Sequence, residues 1–240
     1  EEEIQHRGDI SSIIKQKNDY YIGFKSSGLI QLKYLPDSKV KYAIQSINIQ
    51  SGIFCLMKDR FQDIIWVGAD GQGIYMYFTD EFSIENVLLD VPEYRVNNPV
   101  RALFLDHEQT LWIGTKGGGI LRMMDFYPDR ETLPQAERIL ANNSALMDNS
   151  VYSFAPGRRK SLWIGTEDGL NYYSYLTKRI EEFPVIADGK KVKYVHSICE
   201  TNDSTLWVVS AGEGIVKITL EASSSLPKVK SAQRFTLDGG

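Results

Sequence analysis

Two cysteines and three histidines in 240 residues leave little for metal or redox chemistry to work with. Neither Cys55 nor Cys199 belongs to a Cys-x-x-Cys pair, so zinc-ribbon and dithiol motifs are missing. Both sit in apolar stretches and read as buried free thiols; a disulfide would need their Cα atoms within about 7 Å. His6, His107 and His196 stand alone, with no His-Glu-x-x-His spacing, and there is no Gly-x-Ser-x-Gly elbow. Basic excess is lacking too. Lys and Arg number 27 against 31 Asp and Glu, a net charge of −4, which argues against a nucleic-acid partner. No apolar run approaches the ~18 residues that span a bilayer, so no membrane contact is expected within the chain. Helical periodicity is absent throughout. There is no signal peptide, and the chain opens on Glu1-Glu2-Glu3 without a methionine, which reads as an excerpt of a longer or processed protein.

What the chain has is a repeated phrase. Leu111-Trp112-Ile113-Gly114-Thr115 runs on to Gly119-Ile120; Ile65-Trp66-Val67-Gly68-Ala69 runs on to Gly73-Ile74. Leu162-Trp163-Ile164-Gly165-Thr166 leads to Gly169-Leu170, and Leu206-Trp207-Val208-Val209-Ser210 to Gly214-Ile215. A degenerate first copy, Tyr20-Tyr21-Ile22-Gly23-Phe24, puts Tyr21 in the tryptophan's place. The anchors at 21, 66, 112, 163 and 207 are 45, 46, 51 and 44 residues apart. Such a period marks a repeat architecture in which one supersecondary unit cannot bury its faces alone.

Each repeat reads as four short strands. In the third, Val100 to Leu105 is apolar on both faces after Arg101, as in a sheet sandwiched between neighbours. Leu111 to Thr115 follows, then a Gly117-Gly118-Gly119 hairpin, Ile120 to Met124, and a weaker fourth strand from Ala136 to Leu140. That glycine run is no phosphate cradle, because no helix follows it. The pattern predicts an all-β fold: a single, partial β-propeller domain over 1–240 of five four-stranded blades, at about 8–50, 51–96, 97–146, 147–190 and 191–240. Blade one has Ile10–Lys15 as its first strand and Val40–Ile44 as its last; blade two ends on Ile84–Leu89. Blade five is expected to end on Gln233–Leu237, with Asp238-Gly239-Gly240 as a turn into a further blade. The 51-residue step comes from a surface loop at 126–134, by its prolines and charges.

The four tryptophans are expected to be buried between blades. Gly23, Gly68, Gly114 and Gly165 lie inside a strand, which glycine weakens unless something must approach closely, and the large ring of an adjacent blade is the expected neighbour. The only spare piece is Glu2 to Arg7, read as the last strand of a preceding blade. An open or weakly sealed ring with exposed edges, prone to self-association, is therefore expected.

Asn149-Ser150-Val151 with Leu162-Trp163-Ile164-Gly165-Thr166 and Gly169-Leu170, and Asn98-Pro99-Val100 with Leu111 to Ile120, resemble the two-component regulator propeller repeat. The likeness covers essentially the whole chain and departs at blade one, which lacks the tryptophan, and at blade five, where Val209-Ser210 replaces Gly-Thr. It implies the ligand-sensing, periplasmic part of a hybrid two-component system, with the histidine kinase and response regulator outside this chain. It also implies an oligosaccharide as ligand.

Neither an enzyme nor a cofactor protein is expected. Carboxylate pairs such as Glu131/Glu137 and Glu181/Glu182 fall on loops and outer strands and read as solvated charge; Asp70-Gly71 and Asp168-Gly169 read as turns. No catalytic residue and no metal ligand is assigned. A protein-binding scaffold and a propeller glycan lyase or hydrolase stay open as alternatives. The candidate ligand site lies on the loops joining one blade's fourth strand to the next blade's first, on the face shared with the second-to-third-strand hairpins. It comprises Tyr94, Arg95, Asn97 and Arg101; Asn142, Asn149 and Tyr152; and Lys193, Tyr194 and His196. Aromatic faces beside amide and guanidinium donors suit a sugar, with its apolar C–H patches ringed by hydroxyls. Glu93 and Lys190-Lys191 belong to the same loops.

Overall fold

A computed structural model describes residues 2–87, 94–126, 135–202, 204–221 and 226–236. The fold is all-β. Blade one is β1 (Ile10–Gln16), β2 (Asp19–Phe24), β3 (Gly28–Tyr34) and β4 (Tyr42–Ile47); blade two is β5 (Ile53–Lys58), β6 (Ile64–Ala69), β7 (Ile74–Phe78) and β8 (Ser83–Val87). Blade three is β9 (Val100–Leu105), β10 (Leu111–Thr115), β11 (Ile120–Met124) and β12 (Gln135–Ile139). Blade four is β13 (Val151–Gly157), β14 (Ser161–Thr166), β15 (Gly169–Ser174) and β16 (Arg179–Phe183). After a small hairpin, β17 (Ile186–Ala187) and β18 (Lys190–Lys191), blade five is β19 (Val195–Asn202), β20 (Thr205–Ser210), β21 (Gly214–Leu220) and β22 (Val229–Phe235). Within each four-stranded sheet the strand order is the chain order. The chain forms two compact units, residues 1–105 and 106–240, the boundary falling between β9 and β10.

The first unit packs Tyr21, Ile53, Ile65, Val67 and Tyr77 into one cluster. The second packs Trp163 and Phe183 of blade four with Val195, Leu206, Val208 and Val216 of blade five. Burying each such aliphatic side chain stabilises by about 1.5–3 kcal/mol. Trp66, Trp112 and Trp163 are completely buried. A buried indole needs an acceptor, and each finds a carboxylate: Asp59 for Trp66 (2.8 Å), Asp106 for Trp112 (2.9 Å) and Glu200 for Trp163 (2.8 Å). Asp59 and Asp106 cap the turn before the tryptophan strand of their own blade, whereas Glu200 comes from β19 of the next.

Several expectations are corrected. Glu2–Gln5 is a single helical turn, not a strand. The last strand of blade one begins two residues later, at Tyr42, and β22 begins earlier, at Val229. The neighbour of the strand glycines is a branched aliphatic residue rather than a ring alone. A Cβ on Gly68 would fall 2.8 Å from Val100, on Gly114 2.8 Å from Val151, and on Gly165 2.6 Å from Val195, each the first residue of a following first strand. Phe154 also crowds Gly114. Trp207 is only half-buried, and of the two free cysteines Cys199 is exposed. The thiol of Cys55 points at the Val100 carbonyl, and burial pushes its pKa up to about 12. Leu89, Glu93, Glu131, most of the 126–134 loop, Leu237 and the 238–240 turn lie outside the described residues.

Candidate functional site

The first strands begin with a shared irregularity. The register slips by one residue between Ile10 and Ser12, Ile53 and Cys55, Val151 and Ser153, and Val195 and Ser197. Ser11, Phe54, Tyr152 and His196 are thus left without a cross-strand partner, and Arg101, one place after Val100, occupies the same position in its repeat. A β-bulge bends its strand and re-aims the extra side chain out of the ladder. Two pairs of these side chains, one within each unit, meet across neighbouring blades. The Arg101 guanidinium lies 3.6 Å from the centre of the Phe54 ring, a cation–π contact within the first unit. In the second unit Tyr152 and His196 stack at 4.4 Å with 29° between their planes.

The loops at this end are held by main-chain bonds between connectors and hairpins. Asn149 O accepts from the amides of Gly117 (3.1 Å) and Gly119 (2.8 Å), Ser150 O from Glu167, and Glu167 O from Tyr194 (2.8 Å). Connecting loops and second-to-third-strand hairpins therefore share one end of each unit. Positive φ at Gly117 and Gly119 (84° and 68°) lets the blade-three hairpin turn its amides onto Asn149.

The ten expected residues divide into three groups. Tyr152, Lys193, Tyr194 and His196 come together around the β14–β15 hairpin. The Tyr152 hydroxyl donates to Glu167 (2.8 Å), Tyr194 bonds Glu167 and Ala211 through its main chain, and Lys193 pairs with Asp168 (2.8 Å). Asn149 has a structural role, its side-chain oxygen accepting from the Ala141 amide (2.8 Å), while neighbouring Asn142 is simply exposed. Tyr94, Arg95, Asn97 and Arg101 lie in the first unit, with Arg95 and Asn97 exposed and Arg101 committed to Phe54.

The sequence reads Asp168 as a turn residue and Lys191 only as a neighbour on the site's loops. Asp168 in fact receives both Lys191 (2.6 Å) and Lys193, and the two ammonium groups hold its carboxyl below the usual range. The signal was an acidic hairpin pair set against the basic run Lys190-Lys191-Val192-Lys193 of the next connector. Among the described residues no three His, Cys, Asp or Glu side chains gather as a metal set, and no helix is long and apolar enough to cross a membrane. The site offers an aromatic ledge, a carboxylate acceptor and two ammonium groups.

Residues 95–117 and 145–168 match the model of the two component regulator propeller, each stretch running from a connector through the tryptophan strand. Two of its blades, three and four, thus carry the two component regulator propeller repeat. The model matched is that of a regulator propeller, not of a catalytic domain. Histidine kinase P4 of Formosa agariphila is 27% identical over 185 residues, 75% of this chain and 13% of that protein. Among solved structures, the extracellular domain of a putative hybrid two component system from B. thetaiotaomicron aligns with a TM-score of 0.67 and 21% identity. It covers 98% of this chain and 29% of that one. PorZ, a surface component of the type-IX secretion system of Porphyromonas gingivalis, aligns with a TM-score of 0.64 and 16% identity over 97% of this chain and 34% of its own. At these identities the two structural likenesses are likenesses of fold. The chain thus spans about a third or less of each of these three.

Proposed function

We propose that this propeller region is the ligand-sensing part of a two-component system, working outside the cytoplasm in the periplasm, and that its ligand is an oligosaccharide taken at the loop face. The observation that carries the reading is the Tyr152–His196 ledge, built by bulges at equivalent places in blades four and five and rimmed by Glu167 and Lys193. An aromatic pair offers a flat apolar face to sugar C–H groups, and the charged rim offers partners to hydroxyls. The resemblance to a histidine kinase and to an extracellular two-component domain supports the signalling context. Self-association belongs to the same proposal, supported by exposed Val209, Ile215 and Phe235 on blade five.

Calorimetric titration of the full chain with a panel of neutral oligosaccharides tests the ligand. Tyr152→Ala and His196→Ala are expected to weaken binding about tenfold, in the range of one stacking contact. Tyr94→Ala and Arg95→Ala report on the loop of the first unit. Unchanged affinity in all four variants would remove the loop face as the site. Sedimentation that stays monomeric at high concentration would remove the self-association.

A further inference from the structure

The outer strands of blades three and four enclose a second groove, of about 490 Å3, which none of the ledge residues lines. That volume is in the range of small-molecule sites, about 300–1,000 Å3. At its base lies Arg122 of β11, whose side chain is only 15% exposed. The guanidinium carbon is 5.2 Å from the ring centres of both Trp112 and Tyr173, which are 4.8 Å from each other, so the two aromatics flank it from one side. Its hydrogen-bonding edge is poorly served. One terminal nitrogen meets Glu137 at 3.5 Å, the other donates to the Met124 sulfur (3.1 Å), a weak acceptor, and Nε is buried without a hydrogen-bond partner. Glu137 is 52% exposed, so its carboxylate stays solvated and can be displaced. A fixed, dehydrated guanidinium fork with weak partners matches a planar carboxylate, which it binds through two parallel hydrogen bonds.

The rest of the lining narrows the ligand further. Exposed Arg179 adds positive charge at the rim, while Lys178 is committed to Glu108 at 2.5 Å. Glu137 and Glu181 accept O–H donors but repel a second negative group. We propose that this groove binds a small monoanionic carboxylate bearing hydroxyl groups, the chemistry of a sugar acid, with its carboxylate on Arg122. The site is independent of the sensing role proposed above, because Tyr152 and His196 take no part in it.

The test uses the full chain and glucuronate as probe, with glucose and inorganic sulfate as controls, followed by calorimetry and by the NMR signals of the Trp112 indole, whose ring lies against Arg122. Glucuronate should bind at least about tenfold more tightly than glucose or sulfate and move the Trp112 signal. Glu137→Gln, which removes the competing carboxylate, should raise that affinity severalfold. Arg122→Lys, which keeps the charge but loses the fork, should lower it about tenfold. Tyr152→Ala should change nothing here, which separates failure of this site from failure of the loop face. Equal binding of glucose would overturn the carboxylate; equal binding of sulfate would reduce the groove to a general anion site and overturn the assignment. No binding of glucuronate, or an unchanged affinity in Glu137→Gln, would overturn the site itself. Glu137 is half-exposed, so that variant decides the matter even where Arg122→Lys fails to fold.

Discussion

Blades four and five carry nearly the same phrase, Leu162-Trp163-Ile164-Gly165-Thr166 and Leu206-Trp207-Val208-Val209-Ser210, yet the two strands have different surroundings. Every residue of β14 is buried, whereas β20 alternates: Trp207 is half-buried and Val209 is 42% exposed. The strand of blade four is covered by β19, whose Val195 sits on Gly165 and whose Glu200 receives the Trp163 indole. On blade five, Ile215 and Phe235 are also exposed, at 45% and 39%, and the Trp207 ring rests against Phe235 of its own blade, 6.0 Å between centres. The burial of the tryptophan is thus a property of the junction between blades, not of the phrase. One strand can read as core in sequence and become core only when the next first strand lies on it.

The largest expected effect in this comparison is at the tryptophans. Trp163→Ala should cost about 3–5 kcal/mol, since it empties a fully enclosed site and leaves the Glu200 carboxylate with the Arg158 amide but without the indole donor. Trp207→Ala, with its ring partly in water, should cost about 1 kcal/mol. Denaturant unfolding of both variants measures the difference. Equal losses would mean that the phrase, rather than the junction, sets the burial.

The glycine position sharpens the same point with a smaller effect. Gly165→Val copies the residue found in blade five into blade four, where the new Cβ would lie 2.5 Å from the Val195 carbonyl oxygen. Overpacking of this kind destabilises by about 1–3 kcal/mol. The reverse change, Val209→Gly, removes an exposed side chain from a strand and should cost about 1 kcal/mol through strand propensity alone. A Gly165→Val protein as stable as the wild type would show that the junction between blades four and five can open to admit a side chain.

The blades and their order were legible because each depends on local signals: alternating apolar residues, glycine hairpins and a recurring tryptophan. The partners of those residues were not. Nothing in the spacing says that Glu200, 37 residues from Trp163, takes its indole while Asp106, six residues from Trp112, serves its own blade. The bulges were invisible for a related reason. Tyr152 and His196 each follow a buried valine in what reads as an unbroken strand, and only the pairing with the next strand shows that one residue has been squeezed out. Both were singled out for their loop-proximal chemistry, and the geometry that stacks them emerged from the register. Asp168 was read from its Asp-Gly dipeptide as a turn residue, which it is; its two lysine partners arrive from a connector more than 20 residues on.

That pairing gives the smallest and most local test of the comparison. In blade four the hairpin carboxylate of Asp168 reaches forward to Lys191 and Lys193, on the way into blade five. In blade five the hairpin carboxylate of Glu213 turns back to Arg234 of its own fourth strand (2.8 Å). Asp168 should therefore titrate below its ordinary value of 3.8, chiefly through the hydrogen bond from Lys191 and then that from Lys193. The sign follows from linkage. A carboxyl whose folded pKa is depressed adds stability above its unfolded pKa, and that stability is lost as pH falls through the folded value, here in the range below about pH 4. The pair is partly exposed, so salt should weaken it. NMR titration of the Asp168 carboxyl carbon in the wild type and in a Lys191→Gln, Lys193→Gln double variant measures the effect directly. The midpoint should rise toward the ordinary value once both lysines are gone, and high salt should move the wild type in the same direction. A midpoint that ignores both changes would mean that the forward reach of blade four is not held in solution, leaving its hairpin as self-contained as that of blade five.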